Sequence, residues 1–278
     1  MMIVLALGAA VGWGVADFLG GVKSRTIPLL SVLLVSQTTA LGMLAVIAVV
    51  RRAVIPDAAS LGWAVLAGAA ETCAIAALYR GMAVGVIALV AAFAAFAPVV
   101  PLLAGMVLGE VPGVLRLAGL GLALAGLLIG SYRAGRPDTS NRTWAGIGFG
   151  LLAAAGFGTF FVAMDTASAG DIGWALLTAR LTAVGFLVAA VVIRRHRVAL
   201  RAAALPSLAL IGGLIVVGDA LYATASALGM IGIVAVLGSL HTFVTIALAR
   251  IFLREELGRH QQIGIATALS GVLAISIG

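Results

Sequence analysis

Glu71-Thr-Cys-Ala-Ile-Ala-Ala-Leu-Tyr-Arg-Gly-Met82 and Asp219-Ala-Leu-Tyr-Ala-Thr-Ala-Ser-Ala-Leu-Gly-Met230 are stretches of one kind: an acidic residue inside an apolar run, followed ten residues later by Gly-Met. A carboxylate at the centre of a membrane helix costs about 2.5–3.5 kcal/mol on insertion scales, so its recurrence in a matching setting carries information. The apolar surroundings extend over the whole chain. Of 278 residues 63% are hydrophobic and 10% charged, against about 25% charged in a soluble domain. Runs of about 20 apolar residues recur, each long enough to cross a hydrocarbon core of about 30 Å as a helix.

The pattern predicts an all-α integral membrane protein with spans over 2–21, 28–50, 59–80, 85–109, 112–131, 144–164, 172–193, 207–228, 232–253 and 259–277. Short gaps make successive helices antiparallel neighbours. Trp63, Trp144 and Trp174 begin spans and Tyr132 ends one, as an interfacial aromatic belt requires. The first run lacks a basic segment before Ile3 and continues through Trp13 and Phe18, which reads as a retained helix and not a cleaved signal. The net charge of +7 sits in short clusters between runs (Lys23 and Arg25; Arg51 and Arg52; Arg133 to Arg142; Arg194 to Arg201). Lipid headgroups are the natural partners of such clusters, and nucleic acid is not expected. One cysteine, Cys73, permits no intrachain disulfide. Neither an ATP-binding segment nor a cofactor or metal site is expected.

The longest polar gap lies near mid-chain and divides a first unit, 1–131, from a second, 144–278, across a linker at 132–143. Laid on each other at offsets of 143 to 148 residues, the halves match. Gly12-Trp13-Gly14 falls on Gly156-Phe157-Gly158, and Glu71 falls on Asp219. Glu110 precedes Gly119 and Gly126 as Glu255 precedes Gly264 and Gly271. Five spans per half, an odd number, make the second half cross in the opposite sense, an inverted repeat of the kind that places a transport site near the midplane.

With these features the chain resembles the drug/metabolite transporter superfamily, in particular its EamA-type ten-helix members. The resemblance rests on the two five-helix repeats and on the fourth-span ending Pro98-Val-Val-Pro101-Leu-Leu-Ala-Gly-Met-Val-Leu-Gly109-Glu110. Its counterpart runs from Ser239 to Glu255, with Thr242 at the family's usual proline and Arg254 at its usual glycine. Arg180 is similar to an arginine the family often places in the seventh helix, with Gln37 at the matching place in the second. The resemblance implies solute export in most cases, with uptake of sugars or nucleotide-sugars in some branches; with the inverted repeat it leads to the expectation of a secondary transporter of small organic solutes in the inner or plasma membrane, a monomer or homodimer working by alternating access, either coupled to protons or as a facilitator. It also implies cytoplasmic termini, whereas the basic clusters favour the reverse orientation.

Candidate site residues follow from charge and polarity inside apolar runs. Glu71 and Asp219 are placed to exchange a proton or meet a cationic amine, or else to act as neutral packing groups bonded to neighbours such as Thr72 or Tyr222. Asp17, with Trp13 one turn earlier, lines a cavity or lies in water near a helix end. His241 relays protons or packs between helices. Arg180 with Gln37 forms a polar site, or snorkels or pairs with a carboxylate to fix packing. Glu110 and Glu255 read as structural links at helix ends, and Pro98 and Pro101 as a gating bend or a static kink. A polytopic enzyme acting on lipid-linked substrates, or a non-transporting assembly partner, remains the alternative. The scatter of ionisable residues along the chain counts against the enzyme.

Overall fold

The structure is a computed structural model that describes residues 1–51, 55–97, 99–100, 113–131, 140–195, 202–228, 234, 237–238, 240–254 and 258–277. Among these the regular elements are helices, without strands. They are α1 (Met2–Lys23), α2 (Leu29–Arg51), α3 (Ala58–Val84), α4 (Ile87–Ala94), α5 (Val114–Ser131), α6 (Ser140–Ser168), α7 (Ile172–Ile193), α8 (Leu205–Ala227), α9 (His241–Leu253) and α10 (Arg259–Ile277). A 3₁₀ turn, Ala202–Ala204, leads into α8. Six segments, α1, α2, α3, α6, α7 and α8 with its leading turn, are long and apolar enough to cross a membrane. Their outward faces are apolar: Val46, Val49 and Val50 on α2 and Phe186, Val192 and Ile193 on α7 are exposed, while Gln37, Glu71, Arg180 and Asp219 are buried. Apolar outside and polar inside is the arrangement a lipid solvent imposes.

Helix ends follow local chemistry. Asp57 caps α3, accepting from the amides of Ala59 at 2.9 Å and Ser60 at 3.0 Å and from the Ser60 hydroxyl at 2.7 Å. The bonds from the Ser60 hydroxyl and amide, joined by that of Ala59, hold its carboxyl below the usual carboxylate range. The cap is therefore intact at neutral pH and is lost as acid protonates it. Asp171 caps α7 through the Trp174 amide at 2.9 Å and reaches Arg51 at 3.1 Å, tying the end of α2 to the start of α7. α9 ends on Arg254 in the left-handed region, φ 51° and ψ 38°, where a side chain costs about 1–2 kcal/mol relative to glycine. Arg254→Gly is expected to stabilise the protein by about 1 kcal/mol, read as a higher unfolding midpoint in detergent.

Three expectations need correction. The span predicted at 85–109 is interrupted: α4 stops at Ala94, and the amides of Phe96, Ala97 and Val99 turn to carbonyls three residues back. A residue ahead of proline is pushed out of the helical region, and a proline cannot donate, so the tightening precedes Pro98. The span predicted at 232–253 is helical at Val234, Leu237 and Gly238 but turns at Leu240, whose amide bonds the carbonyl three residues back, before α9 starts at His241. α6 begins at Ser140, inside the stretch read as linker. Pro98, Pro101, Glu110 and Glu255 lie outside the described residues.

The packing has an exchange pattern. α1 packs on α8 and α3 on α6; α1 packs on α9 and α6 on α4; α2 packs on α8 and α7 on α3. α2 meets α7, α4 meets α9 and α5 meets α10. Replacing each of α1–α5 by α6–α10 in order, and the reverse, returns these pairs, whereas the contacts of α3 with α1 and with α4 have no counterpart of similar extent among the described residues.

Close glycine contacts give the register of that exchange. A Cβ at Gly12 would meet the Leu214 carbonyl and Gly218, and one at Gly156 would meet the Ala70 carbonyl and Ala74. Gly14 faces the His241 carbonyl and Val244, and Gly158 faces the Ala97 carbonyl and Val100. Gly68 sits on the Ala179 backbone and Gly212 on that of Ser36. All these pairs fit an offset of 144 residues, or 143 between α2 and α7. In that register Glu71 stands opposite Ile215 and Asp219 opposite Ile75. The matching of Glu71 to Asp219 is thus displaced by four residues, one helical turn, which leaves both on the same helix face.

Candidate functional site: a buried arginine between two carboxylates

Arg180 is 1% exposed, yet its guanidinium is well supplied with acceptors. One terminal nitrogen donates to Gln37 Oε1 at 2.7 Å. The other donates to Glu71 Oε1 at 2.6 Å and to Asp219 Oδ2 at 2.5 Å. Asp219 Oδ1 accepts in addition from the Trp13 indole at 2.9 Å. The cluster joins α1, α2, α3, α7 and α8, and with it both halves of the chain.

Two of the glycine contacts explain how these helices come close enough. Gly68 on α3 lies against the backbone of Ala179, next to Arg180, and Gly212 on α8 lies against the backbone of Ser36, next to Gln37. Small residues at a helix crossing let backbones meet, which shortens the reach needed by the side chains beside them. Sequence reading did not single out Gly68 or Gly212, because 36 glycines make any one spacing uninformative.

Thr72 donates its hydroxyl to the Gly68 carbonyl at 2.6 Å, and Glu71 is bonded to Arg180 instead. Arg180 does not snorkel; it pairs with both carboxylates. Asp17 is 7% exposed, so it is not a solvated helix-end group. Its Oδ2 lies 3.0 Å from His241 Nδ1, and the imidazole meets the rings of Trp13 and Phe157 edge to face at 6.1 and 6.4 Å. Buried polar atoms are normally paired, but Glu71 Oε2 and Arg180 Nε have no partner among the described residues.

Two adjoining cavities flank the cluster. A small one of about 40 Å³ is bordered by Glu71, Asp17, His241 and Trp13. A larger one of about 440 Å³ is walled by Trp13, Phe160, Phe161, Tyr222 and Asp219 and extends to Ser168, Ala169 and Ile172 at the α6–α7 turn and to Ala227 at the end of α8. That volume suits a small organic ligand. Beyond Glu71 towards the opposite ends of α1 and α3, the interior is filled by Leu33, Leu78, Tyr79, Met82 and Ile87. Arg25 fastens that end, donating to the Met82 carbonyl at 3.1 Å and the Gly85 carbonyl at 3.3 Å. Asp165 and Tyr222 border the larger cavity as well; neither was selected from the sequence as a site residue.

Residues 144–277 match the EamA-like transporter family. No curated protein matches the chain. Among the solved structures similar to it, one crystal structure at 12% identity covers 99% of this chain and 97% of its own, with a TM-score of 0.67, a likeness of fold. An all-helical chain with polar groups gathered inside an apolar shell, and a second half matching that family, is an integral multi-pass membrane protein. Its residues 144–277 match the EamA-like transporter family, which belongs to the drug/metabolite transporter superfamily.

Proposed function

We propose that the chain is a secondary transporter of small organic solutes, an exporter in the inner or plasma membrane, with ten membrane-crossing segments in two inverted halves that alternate access to a central site. The observation that carries this reading is the Arg180 cluster, buried between the halves beside a cavity that reaches one end of the bundle while the other end is packed. The exchange of packing partners between α1–α5 and α6–α10 supports the inverted arrangement. If the two halves trade conformations, the packed end opens as the open end packs.

Charge counting supports a role for protons. One guanidinium faces two carboxylates, so the fully ionised cluster carries one excess negative charge and a single proton makes it neutral. A cavity shielded from water is costly for uncompensated charge, so loading and unloading that proton is coupled to whatever else neutralises the site. Glu71 Oε2, unpartnered in the interior, is the position with room for it, since both oxygens of Asp219 are occupied by Arg180 and Trp13.

The rival enzyme reading loses one argument and gains another against it. The ionisable residues do not scatter; they converge. They do so near the middles of α3 and α8, at a depth that lipid-linked headgroups do not occupy. The test is uptake and release by proteoliposomes across amines, amino acids, sugars and nucleobases, with and without a pH gradient. Saturable flux of at least one class, accelerated by the gradient, is expected. Absence of flux for all of them, together with turnover of a lipid-linked substrate, would establish the enzyme instead.

A further inference from the structure

We infer that the larger cavity selects organic cations, with Asp165 as the residue that reads the charge. The inference rests on the transporter reading and names its substrate class. Asp165 follows Phe161 by one turn on α6, so the two share a helix face. Its carboxylate borders the cavity, is exposed there and has no hydrogen-bond or ion-pair partner among the described residues.

Three further observations converge on a cation. Trp13, Tyr222 and Phe161 line the cavity in succession with ring centroids 5.2 and 5.7 Å apart, and an aromatic face that meets a ligand attracts a cation through the ring quadrupole. Among the described residues no lysine, arginine or histidine borders this cavity, so of their charged groups an anion would meet only Asp165 and an Asp219 that shares Arg180 with Glu71. Glu71, 4% exposed and with its Oε2 unpartnered, lines the small cavity that shares Trp13, Phe160, Phe161 and Asp219 with the large one. The wall thus carries excess negative charge in two places. Once the proton has left Glu71, a neutral solute leaves both uncompensated, while an amine or quaternary ammonium carried on an apolar or aromatic body compensates one and packs on the rings.

Calorimetric titration of the detergent-purified full chain tests this with three probes: benzyltrimethylammonium, the neutral N-benzylacetamide and the anionic phenylacetate. The cation is expected to bind saturably, about ten-fold more weakly to Asp165→Asn, with affinity kept in Asp165→Glu. The other two probes are expected not to displace it. Comparable binding of N-benzylacetamide or phenylacetate, or unchanged affinity in a folded Asp165→Asn, overturns the inference. Proteoliposome flux separates the two proposals. Flux of a neutral or anionic solute without cation binding sinks the substrate class and leaves the transporter standing. Cation binding with no flux of any solute, this cation included, sinks the transporter and leaves the charge selection intact.

Discussion

Arg180→Leu is expected to be the most damaging single substitution in the molecule, lowering stability by about 3–5 kcal/mol. The physical reason is not the loss of two ion pairs as such. Buried pairs return little more than the desolvation they cost, but removing one partner leaves the others uncompensated. Here it would leave two carboxylates and the Gln37 carbonyl oxygen in the interior without their donor. Thermal unfolding in detergent, or the yield of monodisperse protein, measures the loss. The control is the triple variant Arg180→Leu, Glu71→Gln, Asp219→Asn, which removes the ions together. Its stability is expected to recover by more than half, a non-additivity characteristic of residues in one network. Arg180→Lys is expected to fall between, since one ammonium cannot reproduce the fork that serves Gln37 from one nitrogen and the carboxylates from the other. If Arg180→Leu melted like the parent protein, the cluster would be no part of what holds the halves together.

The second large effect concerns coupling. Glu71→Gln is expected to leave substrate-driven exchange within a few-fold of the parent protein and to remove at least about ten-fold of the acceleration given by a pH gradient. Glutamine keeps an oxygen for Arg180 and removes the site proposed for the proton. Asp219→Asn is expected to behave differently. That carboxylate is engaged at both oxygens, so its loss weakens binding and stability more than coupling. Proteoliposome flux measured at imposed gradients distinguishes the pair. Equal responses of the two variants would refute the division of labour and restore a symmetric pair of carboxylates.

That division was not legible in the sequence, and the reason is geometric. Charges stand out in apolar runs, so Glu71, Asp219, Arg180 and Gln37 could be selected without coordinates, as could Asp17 and His241. The pairing of Arg180 with Gln37 could be read as well, but not that one guanidinium serves both carboxylates or that Asp17 meets His241. A helix repeats its faces every turn, so an error of four residues in aligning the halves leaves the pattern of faces intact. The Gly-Met endings of the two quoted stretches favoured that error. Only the contacts of Gly12, Gly68, Gly156 and Gly212 across helices give the register that separates Glu71 from Asp219 by one turn. Asp165 was passed over because it lies three residues from the end of α6, where a carboxylate reads as interfacial. Its value as a candidate comes from the cavity beside it, which needs α1 and α8 in place. The broken fourth span shows a different limit. Apolar length predicted a continuous helix, and the backbone ahead of Pro98 turns before the apolar run ends.

The backbone contacts of Gly68 with Ala179 and of Gly212 with Ser36 have a mechanical consequence. Where main chains touch there is no layer of side chains to slide, so halves that alternate as proposed would move least at such contacts. Gly68 and Gly212 would then serve among the fulcrums, with the Arg180 cluster beside both. A rocking of the two halves would then swing the mouth at Ala169 and the plug at Met82 through large arcs while the ionic knot at the pivot keeps its bonds.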